Sequence, residues 1–217
     1  IKFLYRSLGG DFSAQRNFGL EKAKGNWVLF IDSDEEVTNE LALEIKNRIK
    51  GMDSGSHQRR AGWVGMTDNG GINGYYLRRR DYFLGKRLKY GETGKIVLLR
   101  LGREGAGIWQ GKVHETWKVM GQTGKLNNPI LHYPHPTVGA FLNKINHYSN
   151  LVAQNWYEQG RKISALEIAI YPAAKFISNY ILKLGLLDGV PGLIMAMMMS
   201  FHSFLARSKL WLKNKNE

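Results

Sequence analysis

The chain has 217 residues, 43% of them hydrophobic, enough for one full-sized domain with an appended element or for two small ones, and too apolar for wholesale disorder. It contains no cysteine, which excludes disulfides, thiolate zinc sites and a cysteine nucleophile. Its net charge of +13 points to an anionic partner, whether nucleic acid, anionic lipid or a phosphorylated substrate.

The pattern beginning at Ile1 is that of mid-domain sequence, so an N-terminal piece is expected to precede it. Asp11 and Ser13 can cap a helix running to about Lys24, which Gly25 closes. Trp27-Val28-Leu29-Phe30-Ile31 then reads as a short strand buried on both faces, and it runs into Asp32-Ser33-Asp34-Glu35-Glu36. Thr38 caps a second helix whose Leu41, Ile45 and Ile49 form one stripe. Helix, buried strand, acidic loop and helix make an α/β unit with a polar site at the strand's C-terminal edge, where open sheets of this class bind ligands.

Residues 51–60 read as a polar loop, and 61–124 as short strands at 62–66, 74–77, 96–101 and 107–113 separated by glycine-rich turns. After Pro129 the character changes to long helical patterns at 138–157, 164–184 and 189–212. No charged residue lies between Asp188 and Arg207. That run is borderline in length for a membrane span, Pro191 and His202 weigh against spanning, and Trp211 with the basic tail suits an interfacial anchor. A buried helix packed on its neighbours is the equal alternative.

Several residues could carry chemistry. Asp32 and Asp34, separated by one residue just past a strand, can face one cavity and share a hard divalent cation with phosphate oxygens. The same residues could simply form an acidic loop before the helix at Thr38. Arg78-Arg79-Arg80, with Lys86, Arg87 and Lys89 behind and tyrosines interleaved, could hold a phosphorylated sugar or single-stranded nucleic acid, or be a solvated loop. His132 and His135 have a zinc-like spacing, but no second ligand pair follows. His114-Glu115 does not open a His-Glu-x-x-His motif, because Lys118 occupies the last position.

The stretch from Asp11 through Gln15-Arg16-Asn17 to Ala23-Lys24-Gly25-Asn26-Trp27 and Asp32-Ser33-Asp34-Glu35 resembles family 2 glycosyltransferases of the GT-A fold. The likeness is nearest to the bacterial lipopolysaccharide core branch, whose members add glucose to an inner-core heptose. Lys112-Val113-His114-Glu115 resembles that branch's Val-His-Glu segment, and residues 176–192 resemble its helical tail. The resemblance implies a Rossmann-like mixed sheet with flanking helices, lacking an N-terminal strand-helix-strand unit that binds the nucleotide base. On this reading residues 1–136 form the GT-A catalytic core and 137–217 a helical, membrane-associating region.

The resemblance further implies an inverting transfer of a sugar, glucose being expected, from a UDP-sugar to a lipid-linked or lipopolysaccharide-core saccharide. Asp32 and Asp34 would hold Mg²⁺ or Mn²⁺ and the diphosphate, with Asp34 the direct ligand and His132 a further metal or diphosphate contact. Arg16 and Asn17 would line the donor pocket, Arg78, Arg79 and Arg80 would bind the acceptor, and Glu115 would be the general base. The segment Gly91-Glu92-Thr93-Gly94-Lys95 departs from the family's more aromatic, proline-containing stretch and bears on the acceptor's identity. The expected location is the cytoplasmic side of the inner membrane, against an anionic surface, with nucleic acid not an expected partner. Two other readings stand beside this one. An aspartate-nucleophile phosphatase would need Thr or Val where Glu36 stands, and a basic membrane- or RNA-binding module leaves Asp32, Asp34 and Glu115 unexplained.

Overall fold

The computed structural model describes residues 3–7, 9–53, 71–112 and 115–215. The expected strand at 62–66 and most of the loop at 51–60 lie outside these residues, as do Val113 and His114. The chain forms two compact units: Ile1–Arg79 with Val97–Leu131, and Arg80–Ile96 with His132–Glu217.

In the first unit, helix α1 (Phe12–Lys22) starts where the Asp11 carboxylate accepts from the backbone N–H of Ala14 at 2.8 Å, a side-chain N-cap. Strand β1 (Trp27–Leu29) and strand β2 (Glu35–Val37) flank the acidic loop. Helix α2 (Asn39–Asp53) begins with the Leu41 N–H on Thr38 Oγ1 at 3.2 Å. Along the chain, strands β3 (Ile72–Phe83), β4 (Lys86–Arg87), β5 (Val97–Arg103), β6 (Gly107–Gln110), β7 (Thr116–Val119), β8 (Gln122–Lys125) and β9 (Ile130–His132) follow, β4 and the ends of β3 and β9 falling in the second unit's segments.

The main sheet has the order β1-β5-β3-β9-β2, with β4 and β8 also on β3. β1 and β5 are antiparallel and β3 and β8 parallel, so the sheet is mixed. This mixed sheet with flanking helices is the GT-A class read from the sequence. Leu41 and Ile45 of α2 pack on Tyr75, Leu77, Leu101, Leu126 and Ile130, a buried apolar core. A separate cluster gathers Leu99, Trp109 and Trp117 with Val28 and Phe30. Glu44 locks α2 to the turn before β9 by accepting the backbone N–H groups of Asn127 and Asn128, both at 2.8 Å. Burial works against the charged form of Glu44, but these donors outweigh it and hold its carboxyl below the usual range.

The strand at Trp27 differs from expectation. Among the described residues it is half-buried throughout and pairs with β5, and Ile31 is exposed. Residues 74–77 belong to a far longer strand that takes in Arg78, Arg79 and Arg80.

In the second unit, α3 (Val138–Glu158) is capped by Thr137 and buries Phe141, Ile145, Ser149, Val152 and Ala153, a single helical stripe. Ser164 and Glu167 form a reciprocal capping box on α4 (Ala165–Ile177). The helix expected to continue to 184 instead widens to a π-helical turn at Ser178–Leu182 and stops at Leu184, which takes a left-handed φ of 58°. A short 3₁₀ turn (Gly185–Asp188) then leads to α5 (Val190–Lys215). The buried Asp188 carboxylate explains why the chain can turn here. It accepts the backbone N–H of Lys89 at 3.0 Å and of Tyr90 at 2.9 Å, while the Lys86 ammonium donates to its carbonyl.

Replacing Asp188 with Ala leaves two backbone donors without their acceptor. Urea unfolding of the variant is expected to show a loss of about 1–3 kcal/mol, and an unchanged midpoint would contradict this role.

Candidate functional site

The acidic loop of the first unit is organised by two arginines. Arg16, in the middle of α1, donates from Nε to Glu115 Oε1 at 2.7 Å and from a terminal nitrogen to Asp32 Oδ1 at 2.8 Å. Its guanidinium lies over the Trp109 ring, 4.6 Å from the centroid, and 5.7 Å from that of Phe30. Arg100 of β5 donates to Asp32 Oδ2 at 2.7 Å and to Glu35 Oε1 at 3.1 Å. Glu35 Oε2 in turn accepts the backbone N–H of Asp32 at 3.0 Å, and the Glu35 N–H closes a tight turn on the Asp32 carbonyl. Two guanidiniums and three carboxylates thus interlock.

The backbone explains how Arg100 reaches this network from an apolar strand. Tyr75 pairs with Leu101 and Tyr76 with Leu99, so Arg100 is the extra residue of a β-bulge. A bulge shifts the phase of side-chain alternation and re-aims one residue. Leu101 and Leu99 accordingly join different apolar clusters on either side of it. Asn17, next to Arg16, uses its amide as a substitute strand partner: its Oδ1 accepts the Trp109 N–H at 2.8 Å and its Nδ2 donates to the Trp109 carbonyl at 2.9 Å. That pair ties β6 to α1 and, through the stacked Trp109 and Trp117 rings, supports the strand that follows Glu115.

Of the residues singled out in the sequence, Arg16, Asp32 and Glu115 meet directly, and Asn17 braces them. Asp34 sits half-buried in the turn after Asp32. Arg78 is exposed on β3 and donates to the Asn127 carbonyl at 2.7 Å. Strand alternation turns Arg79 to the face opposite Arg78 and Arg80, so the three do not form one continuous patch. His132 belongs to the second unit, where Nδ1 faces Asp81 Oδ1 at 2.9 Å and both side chains are buried. A carboxylate on one ring nitrogen fixes the orientation of an imidazole, as is usual behind a ligand histidine. Arg100 and Glu35 escaped the sequence reading, although a lone arginine inside Val97-Leu98-Leu99-Arg100-Leu101 was the available signal.

A hard divalent cation held jointly with phosphate would draw its protein ligands from the carboxylates of this loop. Both Asp32 oxygens are engaged by guanidiniums, and Asp34 follows two residues later in the same turn. Among the described residues no three His, Asp or Glu side chains form a cage of their own. Mg²⁺ and Mn²⁺ need none when one or two carboxylates and a diphosphate share the shell.

Burial opposes the charged form of Asp32, but Arg100 and Arg16 outweigh it and hold the carboxyl below its ordinary 3.8. A depressed pKa means that the stabilisation is complete above about pH 4, the unfolded value, and is lost as pH falls through the folded value. The unfolding free energies of wild type and Asp32→Asn are therefore expected to converge on acidification from pH 7 to pH 3. A gap that stays constant over that range would contradict the paired carboxylate.

Residues 1–102, which include Arg16, Asp32, Asp34 and Arg100, match the sequence model described as Glycosyl transferase family 2. The lipopolysaccharide core biosynthesis glycosyltransferase LpsC of Rhizobium meliloti is 26% identical over 221 residues, covering 99% of this chain and 74% of that one. The uncharacterized glycosyltransferase RC0292 of Rickettsia conorii is 25% identical over 218 residues, covering 94% of this chain and 72% of its own. RP128 of Rickettsia prowazekii, of the same description, is 24% identical over 209 residues, with 92% and 66% covered. With its mixed sheet, its acidic loop and a likeness that runs nearly the length of the chain, this protein is similar to the family 2 glycosyltransferases, and its fold is consistent with the GT-A class.

Proposed function

We propose that the protein is an inverting glycosyltransferase that moves a sugar, glucose in the first instance, from a UDP-sugar to a lipid-linked or lipopolysaccharide-core saccharide. The observation that carries this reading is the single guanidinium of Arg16 joined to both Asp32 and Glu115. It links the acidic loop expected at the donor diphosphate to the carboxylate expected at the acceptor. The acceptor class follows that of LpsC, a lipopolysaccharide core biosynthesis glycosyltransferase.

In this mechanism Glu115, oriented by Arg16, takes the proton of an acceptor hydroxyl as its oxygen attacks the anomeric carbon. The bond from that carbon to the diphosphate oxygen breaks, and UDP departs with the electron pair. Attack from the face opposite the leaving group inverts the anomeric centre. Arg16 lies between the two partners, where its fixed charge needs no rearrangement as charge moves from acceptor to leaving group. Asp34 would hold Mg²⁺ or Mn²⁺ against the diphosphate, where the cation neutralises the charge of the departing UDP. We assign catalysis to residues 1–136 and attachment to the cytoplasmic face of an anionic inner membrane to residues 137–217.

The test is UDP release from a panel of UDP-sugars by the full protein with membrane extract, with and without Mn²⁺. Metal-dependent turnover with one sugar is expected, falling at least about 100-fold in Glu115→Gln, in line with loss of a general base, and comparably in Asp34→Asn. No turnover with any sugar, together with salt-sensitive RNA binding indifferent to Mn²⁺, would replace this reading with that of a non-catalytic basic module.

A further inference from the structure

Helix α4 is the most apolar helix of the second unit and yet buries none of its residues. Leu166, Ile170 and Ile177 stand 65%, 53% and 47% exposed, and Ile181 and Leu184 continue the line at 50% and 48%. Steps of three and four residues put this series on one helical face, prolonged through the π-helical turn. At the corner before α5, Leu182, Leu187 and Val190 are exposed as well. A folded unit does not leave so large a contiguous apolar strip in water without a use for it.

Charge decides what covers it. Residues 161–215 carry eight lysines and arginines against two acids. Of those acids, Glu167 is held in the capping box of α4 and Asp188 is buried on backbone N–H groups. Lys162, before the strip, and Lys183, within its last part, are exposed. A second copy of the chain, meeting this face in a two-fold contact, would bring the same lysines against one another. An anionic bilayer instead offers an apolar layer for the strip and phosphates for the lysines.

Helix α5 is the one helix long and apolar enough to cross a membrane among the described residues, but it is fastened into the unit along its length. Ser200 Oγ donates to the Pro172 carbonyl at 2.7 Å, Lys209 donates to Asn146 and Ser149, and Asn214 donates to the Arg161 carbonyl at 3.1 Å. These bonds set α5 antiparallel to α4 and require it to stay with its neighbours.

We propose that α4 and the corner at 181–190 form a surface that lies flat on an anionic phospholipid membrane. The apolar strip enters the boundary between headgroups and acyl chains, and α5 serves as the packed scaffold behind it. This rests on the membrane attachment proposed above and assigns it to a different element from the α5 run that the sequence marks as apolar.

The experiment is flotation of the full protein with phosphatidylcholine vesicles, with and without phosphatidylglycerol, for wild type and Ile170→Glu/Ile177→Glu. Because both positions are exposed, the variant should keep its circular dichroism melt. The expected result is binding to the anionic vesicles only, weakened by salt and reduced at least 10-fold in the variant. A second readout uses the absence of native cysteine: an environment-sensitive dye on Ile177→Cys should brighten with anionic vesicles, and one on Lys22→Cys should not. Equal flotation of wild type and variant, or no dye response at 177, overturns the proposal. So does a wild type that ignores vesicles but forms a dimer that the variant dissolves. UDP release on an acceptor saccharide freed of lipid, run in parallel, shows whether the transferase reading survives such a failure.

Discussion

Much of the first unit turns on one cation. Arg16 holds Asp32 with one edge of its guanidinium and, with another, Glu115, which lies 99 positions further along the chain than Arg16. Taking charges out of water is costly unless they are paired and hydrogen-bonded, and removing one partner strands the rest. Arg16, Arg100, Asp32, Glu35 and Glu115 satisfy one another only if α1, the bulge in β5 and the strand after Glu115 are all in place. The network therefore acts as a check on the fold as well as a site. Within it, both carboxylate oxygens of Asp32 are held by arginines.

Local signals were readable in advance. The caps at Asp11 and Thr38 are short-range chemistry, written within three residues of each helix start. The apolar stripe of α2 and the aspartate pair were legible for the same reason. What escaped depends on pairing between distant strands. Whether Trp27-Val28-Leu29 is central or at an edge is decided by its neighbours, and nothing in those residues records them. The bulge at Arg100 arises from the register of β3 against β5. It turned a residue that looks like an error in an apolar strand into the partner of Asp32 and Glu35. The triple arginine was legible as a charge cluster but not as a strand, and strand alternation divides it between two faces.

In the second unit the limit is of another kind. Apolarity along a helix says that some face must leave water, and it does not say which helix already has company. The uncharged run of α5 is the longer signal, yet Met195, Met198, Ala206 and Leu210 are buried against the unit while α4 keeps its apolar strip exposed. Asp188 and the left-handed Leu184 place the corner that produces this arrangement. The buried hydrogen bonds of Asp188 run to a segment 98 residues earlier, beyond the reach of any local pattern.

The most direct test of the central claim is a double-mutant cycle between Arg16→Met and Glu115→Gln, read as unfolding free energy at pH 7. If the guanidinium of Arg16 joins Glu115 to the acidic loop, the two changes are coupled by about 1 kcal/mol or more, as expected for contacting members of one network. Effects that add to within about 0.5 kcal/mol, the behaviour of independent sites, would contradict the account.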